Sequence, residues 1–276
     1  MLNNQERRNL FIKNRKIAEV FFKLENIKNF DNNSDFIESL VKKCSNQLQV
    51  IGFEDLREFK DFLNFVVFGA EKFIPRDCLE INKKIVSNII TKVLHRCISL
   101  FDKEIIKIFV FPTFNNFVVE KMNGVCGFCT NKNVILLTLA PVGKWRLSLE
   151  SAVAHELAHA LSPYYDMSKI SIGEGLIFDG IAEHLREHFI DGEKAIWVKK
   201  FSKQEAIKFF NKLKPYLEVR DIDFYKEVFF GAGKYPLWVG YAAGYYLVGA
   251  YLKNKKPVNW KEIIKADPKK ILDEIK

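Results

Sequence analysis

The chain has 276 residues, of which 48% are hydrophobic, enough to bury a full core and too apolar for a disordered protein. Its net charge is +9, but 43 Lys and Arg are interleaved with 34 Asp and Glu and form no basic tail, so the charge reads as a solvated surface and no nucleic-acid partner is expected. Five cysteines (Cys44, Cys78, Cys97, Cys126, Cys129) follow no disulfide framework and Met1 to Arg15 is polar with no apolar signal segment, so the expectation is a cytoplasmic protein with buried thiols and no membrane partner.

Residues 1 to about 100 read as a set of helices. Ile17, Val20, Phe21 and Leu24 recur at helical spacing, as do Phe36, Ile37, Leu40 and Val41 behind a cap at Ser34 or Asp35. Leu56, Phe59, Phe62, Leu63 and Val66 form a third set, and Ile81 to Phe101 continues the pattern through Ile85, Ile89, Val93 and Leu94. No chemistry is visible in this region, and His95 reads as structural or solvent-exposed.

From Ile105 the period changes. Ile106, Ile108, Val110 and Phe111 form a β-type run ended by Pro112, and Phe117-Val118-Val119 precedes an Asn123-Gly124 turn. Cys126-Gly127-Phe128-Cys129 has neither the following helix of a redox motif nor the second pair of a zinc ribbon, so it reads as loop and strand packing. Asn133 to Leu139 is a second β-rich run, after which Ser148 is placed to cap a helix with Leu149, Ala152, Val153 and Leu157 on its apolar face.

That helix carries His155-Glu156-Leu157-Ala158-His159. Two histidines four apart stand one above the other on a helix, so both imidazoles can reach one Zn²⁺ while Glu156 reaches its water. A catalytic zinc site needs a third protein ligand, and the candidates are Glu174, Asp179 and Glu183. Ser171-Ile172-Gly173-Glu174 has the form of a capping box, which already gives Glu174 a structural task. Asp179 and Glu183 are four apart on the same helix, an arrangement that suits one ligand and one carboxylate orienting a ligating histidine through its other ring nitrogen.

With these residues in hand the chain resembles the gluzincins. The pair His155-Glu156-Leu157-Ala158-His159 and Asp179-Gly180-Ile181-Ala182-Glu183-His184 is similar to their pattern, in which the second helix carries Glu-Gly-hydrophobic-Ala and its Glu is the third ligand. More narrowly the chain resembles a family of predicted zinc-dependent proteases known mainly as a domain of unknown function. The Tyr235 to Tyr245 run, Tyr-Pro-Leu-Trp-Val-Gly-Tyr-Ala-Ala-Gly-Tyr, fits as well, and the likeness covers roughly residues 105 to 276. One departure stands out: Asp179 occupies the glutamate position, one methylene shorter.

The apolar run Pro236 to Leu252 is short and tyrosine-rich for a membrane span and reads as a buried helix whose Gly240, Gly244 and Gly249 allow close packing. Tyr241, ahead of Tyr245, is a candidate donor to the oxyanion of a tetrahedral intermediate. Trp260 to Lys276 reads as short amphipathic helices around Pro268.

The expectation is an α+β protein, mainly helical and zincin-like, with a small β-sheet preceding the active-site helix. A helical N-terminal region over 1–104 precedes a metallopeptidase region over 105–276. The expected activity is zinc-dependent hydrolysis of peptide or protein substrates, with Zn²⁺ on His155, His159 and Asp179, Glu156 as general base, Glu183 behind the ligands and Tyr241 at the oxyanion. The strand at Val134 to Leu139 is expected to take an extended peptide by β-addition. Hydrolysis of a non-peptide amide, and a catalytically weakened binding or regulatory protein, stay open, as does the oligomeric state.

Overall fold

Every residue from Ile17 to Phe22 is buried, and this run forms a strand, β2 (Arg15–Phe22), where helical spacing had suggested a helix. A strand covered on both faces shows no alternation, and an unbroken apolar run satisfies a helical template equally well. Its one acid, Glu19, is buried because Arg7 and Lys16 both pair with it. The computed structural model describes residues 6–70, 81–141, 145–190 and 194–275, so Cys78 lies outside the described residues. Strand β1 (Arg7–Ile12) lies antiparallel to β2.

Three further strands complete one sheet, β3 (Ile106–Pro112), β4 (Val125–Asn131) and β5 (Val134–Leu139), in the order β1-β2-β3-β5-β4. The inner pairs β2-β3 and β3-β5 are parallel; the expected turn, with Asn123 and Gly124 at φ 53° and 78°, leads into β4, which pairs antiparallel with β5 across a tight turn at Lys132-Asn133, Asn133 at φ 60°. The sheet therefore runs across the boundary expected at 104/105.

Helices α1 (Asn33–Cys44), α2 (Leu48–Ile51) and α3 (Leu56–Phe68) bury Phe36, Ile37, Leu40, Phe59, Leu63 and Val66 against the sheet residues Phe109, Phe111 and Leu136. The cap of α1 is Asn32, which accepts from Asp35 N–H, and not Ser34 or Asp35. Helix α4 (Lys83–Arg96) packs against β1 and β2. Phe117-Val118-Val119 belongs to a short helix, α5 (Asn116–Lys121), because the Asn115 side chain accepts from Phe117 N–H and starts a turn.

The chain forms two compact units, residues 1–98 with 102–156 and residues 99–101 with 157–276. The division falls inside one continuous helix, α6 (Trp145–Leu161). The second unit is helical: α7 (Ile172–Ile190), α8 (Ile196–Lys199), α9 (Lys203–Leu213), α10 (Ile222–Phe230), α11 (Val239–Lys253), α12 (Trp260–Ile264) and α13 (Pro268–Ile275). Together the elements make an α+β protein that is mainly helical, and no helix among the described residues is long and apolar enough to cross a membrane.

Helices α7 and α11 form the most extensive helix pair. Two glycines set their spacing. A β-carbon on Gly180 would meet the carbonyl oxygen of Gly244 and lie 2.5 Å from Val248 Cγ2, and one on Gly244 would collide with the carbonyl of Leu176. Backbone rather than a movable side chain is the obstacle at both positions. We expect Gly244→Ala to lower folding stability by at least about 1–3 kcal/mol in urea unfolding. Gly249→Ala, whose nearest neighbour is the end of the His184 ring at 3.0 Å, should cost distinctly less.

Candidate metal centre

Helix α6 begins at Trp145, so Ser148 lies within its first turns and does not cap it. Leu149, Val153, Ala154, Leu157, Ala158 and Ala160 are buried, and the polar residues between them go inside too: His155 and Glu156 are 7% exposed and His159 is 4% exposed. Polar groups taken out of water must find partners.

Helix α7 starts at the expected capping box. Ser171 N–H donates to Glu174 Oε2 (2.7 Å), Glu174 N–H donates to Ser171 Oγ (3.3 Å), and Arg220 pairs with the same carboxylate at 2.9 Å. Glu174 is thus a structural residue. Two turns on, Asp179 is 5% exposed, and its Oδ1 lies 3.6 Å from His159 Nε2. His155, His159 and Asp179 each offer one ligand atom, and the three atoms lie within 4.8 Å of one another. Ligands at about 2.0–2.1 Å from a tetrahedral Zn²⁺ stand about 3.4 Å apart, so the His159–Asp179 separation is close to a finished edge. Two imidazoles and a carboxylate are also a donor set that suits this ion.

Two aromatic residues that sequence reasoning passed over hold these groups. Tyr225 on α10 donates its hydroxyl to Asp179 Oδ2 at 3.3 Å, leaving Oδ1 directed at His159. Burial, and then the Asp179 charge, push the Tyr225 hydroxyl well above its usual pKa, so it stays a donor. Tyr225 comes this close to α7 because Gly175 lies beneath it, where a β-carbon would stand 2.9 Å from Tyr225 Cε2. Tyr165 stacks on the His159 ring with centroids 4.4 Å apart and planes at 23°.

Glu183 is fully buried, and its carboxylate receives Trp197 Nε1–H at 2.9 Å and the Arg186 guanidinium at 3.1 Å. Tyr241 lies among Trp197, Phe229 and Phe230 with centroids 5.9, 5.4 and 6.3 Å away. Its neighbour in the sequence pattern, Tyr245, donates to Glu187 at 3.0 Å and stacks on His184.

Glu156 faces the sheet. A β-carbon on Gly127 of β4 would sit 2.9 Å from both Glu156 Cδ and Oε1, so only glycine leaves the carboxylate its place. An isolated glycine within a strand run is the available signal for such an approach. Strand β5, expected to receive a peptide, lies between β3 and β4 with both edges taken, because the sheet order puts β4 outside it. Among the described residues no strand pairs with the other side of β4. Ala140 N–H donates to Gly124 O at 2.8 Å, which sets the antiparallel alternation: Cys126 and Phe128 turn their main-chain groups to β5, and Val125, Gly127 and Cys129 turn theirs to the open edge.

Cys126 and Cys129, three apart on β4, project from opposite faces, and neither belongs to the metal-competent group among the described residues. Burial, and then the nearby Glu156 charge, raise the pKa of both thiols, while burial pushes Cys44 and Cys97 up to about 12.

A mainly helical α+β protein with two imidazoles and a carboxylate gathered on consecutive helices defines a candidate metalloprotein. The chain belongs to the family described as predicted Zn-dependent protease (DUF2268), whose model matches residues 86–273 and so takes in α4 as well as the expected region. No curated protein and no solved structure gave a significant match.

Two measurements follow from this geometry. Tyr225→Phe should weaken zinc binding by roughly 10–100-fold in a chelator competition while leaving the far-ultraviolet circular dichroism unchanged. In the native protein at pH 8, Cys44, Cys97, Cys126 and Cys129 should label slowly with a thiol reagent and become reactive only on unfolding, as peptide mapping would read.

Proposed function

We propose that this protein is a zinc-dependent peptidase in which His155, His159 and Asp179 hold the ion and Glu156 is the general base. The observation that carries this reading is the buried convergence of three ligand-type atoms within 4.8 Å, two of them on the helix whose Glu156 lies against Gly127 of the end strand β4. When bound, zinc supplies Lewis acidity and brings the pKa of a water toward about 7. Glu156 takes the proton of the attacking water on a carboxylate oxygen and returns it to the leaving amine nitrogen. Its burial, at 7% exposure, keeps bulk water from competing for that proton.

The remaining residues orient these two tasks. Tyr225 fixes one oxygen of Asp179, and Tyr165 fixes the plane of the His159 ring. Tyr241 is our choice for the donor to the developing oxyanion, since the hydroxyl of Tyr245 is engaged by Glu187. The outward N–H and C=O groups of Val125, Gly127 and Cys129 can pair with an extended main chain, which favours peptide or protein substrates over compact amides.

Elemental analysis of the purified protein should find about one zinc per chain, the stoichiometry of a single three-ligand site. Glu156→Gln should keep that zinc and lose turnover by roughly 10²–10⁴-fold, whereas His155→Ala and Asp179→Ala should lose both. Equal zinc retention in Glu156→Gln and His155→Ala would refute the assignment. A parent protein that takes up no zinc would leave a binding or regulatory relative with a weakened site.

A further inference from the structure

The open edge of β4 has an end. Beyond Cys129 the strand is irregular, with a register shift between Cys129 and Asn131, and there the turn that closes α2 is fastened to it. Thr130 Oγ1 donates to Ile51 O, and Asn131 Nδ2 lies 3.4 Å from both Gln49 O and Val50 O. These side chains satisfy carbonyls at the C-terminal end of a helix, which have no partner within it. Gly52 then turns the chain at φ 104°, against the main chain of β4, where a β-carbon would lie 2.6 Å from Thr130 O. Helix α2 and Gly52 therefore stand against the strand from Thr130 onward, whereas Val125 to Cys129 have no strand on that side among the described residues, with Val125 and Cys129 3% and 5% exposed.

The position of this obstruction relative to the chemistry is fixed by Gly127, which marks where the Glu156 carboxylate meets the strand. From Gly127 to Thr130 is three residues, about 10 Å of strand. A peptide adding to β4 pairs best in the antiparallel sense, where each outward residue exchanges two hydrogen bonds with its opposite number. In that sense the N-terminal side of the peptide runs toward Cys129 and reaches the α2 turn after about three residues. The C-terminal side runs past Val125, away from the turn.

We propose that the α2 turn is an end wall that limits how many substrate residues precede the scissile bond, so that this protein cuts close to the N-terminus of its peptide substrates. The proposal rests on the peptidase reading above and adds the substrate's geometry. Thr130 and Asn131 act as positioning residues that hold the wall, and Gly52 allows it to stand against the strand.

The test uses the zinc-loaded full chain and two nested peptide sets sharing one cleavable core. One set is extended stepwise at the N-terminus, from one to about six residues before the scissile bond, and the other at the C-terminus. We expect kcat/KM to fall by about tenfold or more once N-terminal extension passes about three residues, and to change by less than about twofold on C-terminal extension. The double variant Thr130→Val with Asn131→Ala, which frees the turn, should move the fall to longer peptides. Rates indifferent to N-terminal length, or falling with C-terminal length instead, would overturn the proposal.

A binding measurement separates this idea from the peptidase assignment. The same peptides, fluorescently labelled at the C-terminus, are titrated into Glu156→Gln. Binding that weakens with N-terminal length supports the wall even if the parent cleaves none of them, and binding blind to that length removes it even if the parent cleaves them all.

Discussion

The constraint that organises the structure is the burial of a carboxylate beside two imidazoles. Asp179, His155 and His159 are each less than a tenth exposed. Withdrawing an ionised carboxylate from water costs several kcal/mol after relaxation, so Asp179 needs partners, and the Tyr225 hydroxyl is one of them. A cation is a partner that this group could hold, since the three ligand-type atoms lie within 4.8 Å of one another and the His159–Asp179 pair is 3.6 Å apart. The rest of the second unit serves to keep Asp179 where it is. Gly180, the next residue along α7, is packed against the backbone of α11 with no room for a β-carbon, so Asp179 stands on a helix seated closely on its neighbour.

The first unit imposes a second constraint through its sheet. Parallel strands β2, β3 and β5 are buried and carry the core, which leaves β4 as the antiparallel strand at one end. Because β4 is an edge, half of its main-chain groups point outward, and unprotected edges invite indiscriminate pairing. Here the edge is kept short, covered at its C-terminal end by α2 and crossed at Gly127 by Glu156. The outward main-chain groups of Val125, Gly127 and Cys129 are thus the stretch of this edge that neither α2 nor a described strand takes.

The sequence was readable wherever the physical cause is local. The spacing of His155 and His159 is one helical turn and the Ser171–Glu174 box closes within four residues, so these could be placed from the chain alone, whereas the choice of Asp179 over Glu183 came from the family resemblance. What escaped depends on contacts far apart in sequence. Tyr225 reaches Asp179 across 46 residues, and nothing within its own helix marks it. Strand β2 was mistaken for a helix because both its faces are covered, a property of the sheet and not of the segment. The outer strand could not be told from the inner one because order in a sheet is not written in any strand: β4, half-buried and interrupted by glycine, looked like loop packing, and the more apolar β5 looked like the strand to bind a peptide.

Asp179, proposed above as the third ligand, is where the chain departs from the pattern it resembles, and the geometry gives the shorter side chain a rationale. Asp179 Oδ1 already lies 3.6 Å from His159 Nε2, so the missing methylene is made up by the position of α7. Aspartate has one rotatable bond fewer than glutamate, and fixing it costs less side-chain entropy. With Oδ2 held by Tyr225, its remaining freedom is nearly gone before any ion arrives. A glutamate would reach further and need restraining; the aspartate reaches less far and is restrained by the glycine-spaced packing that brings α10 and α11 close to α7. Reach has been exchanged for preorganisation, which is what a carboxylate in the proposed ligand role gains most from.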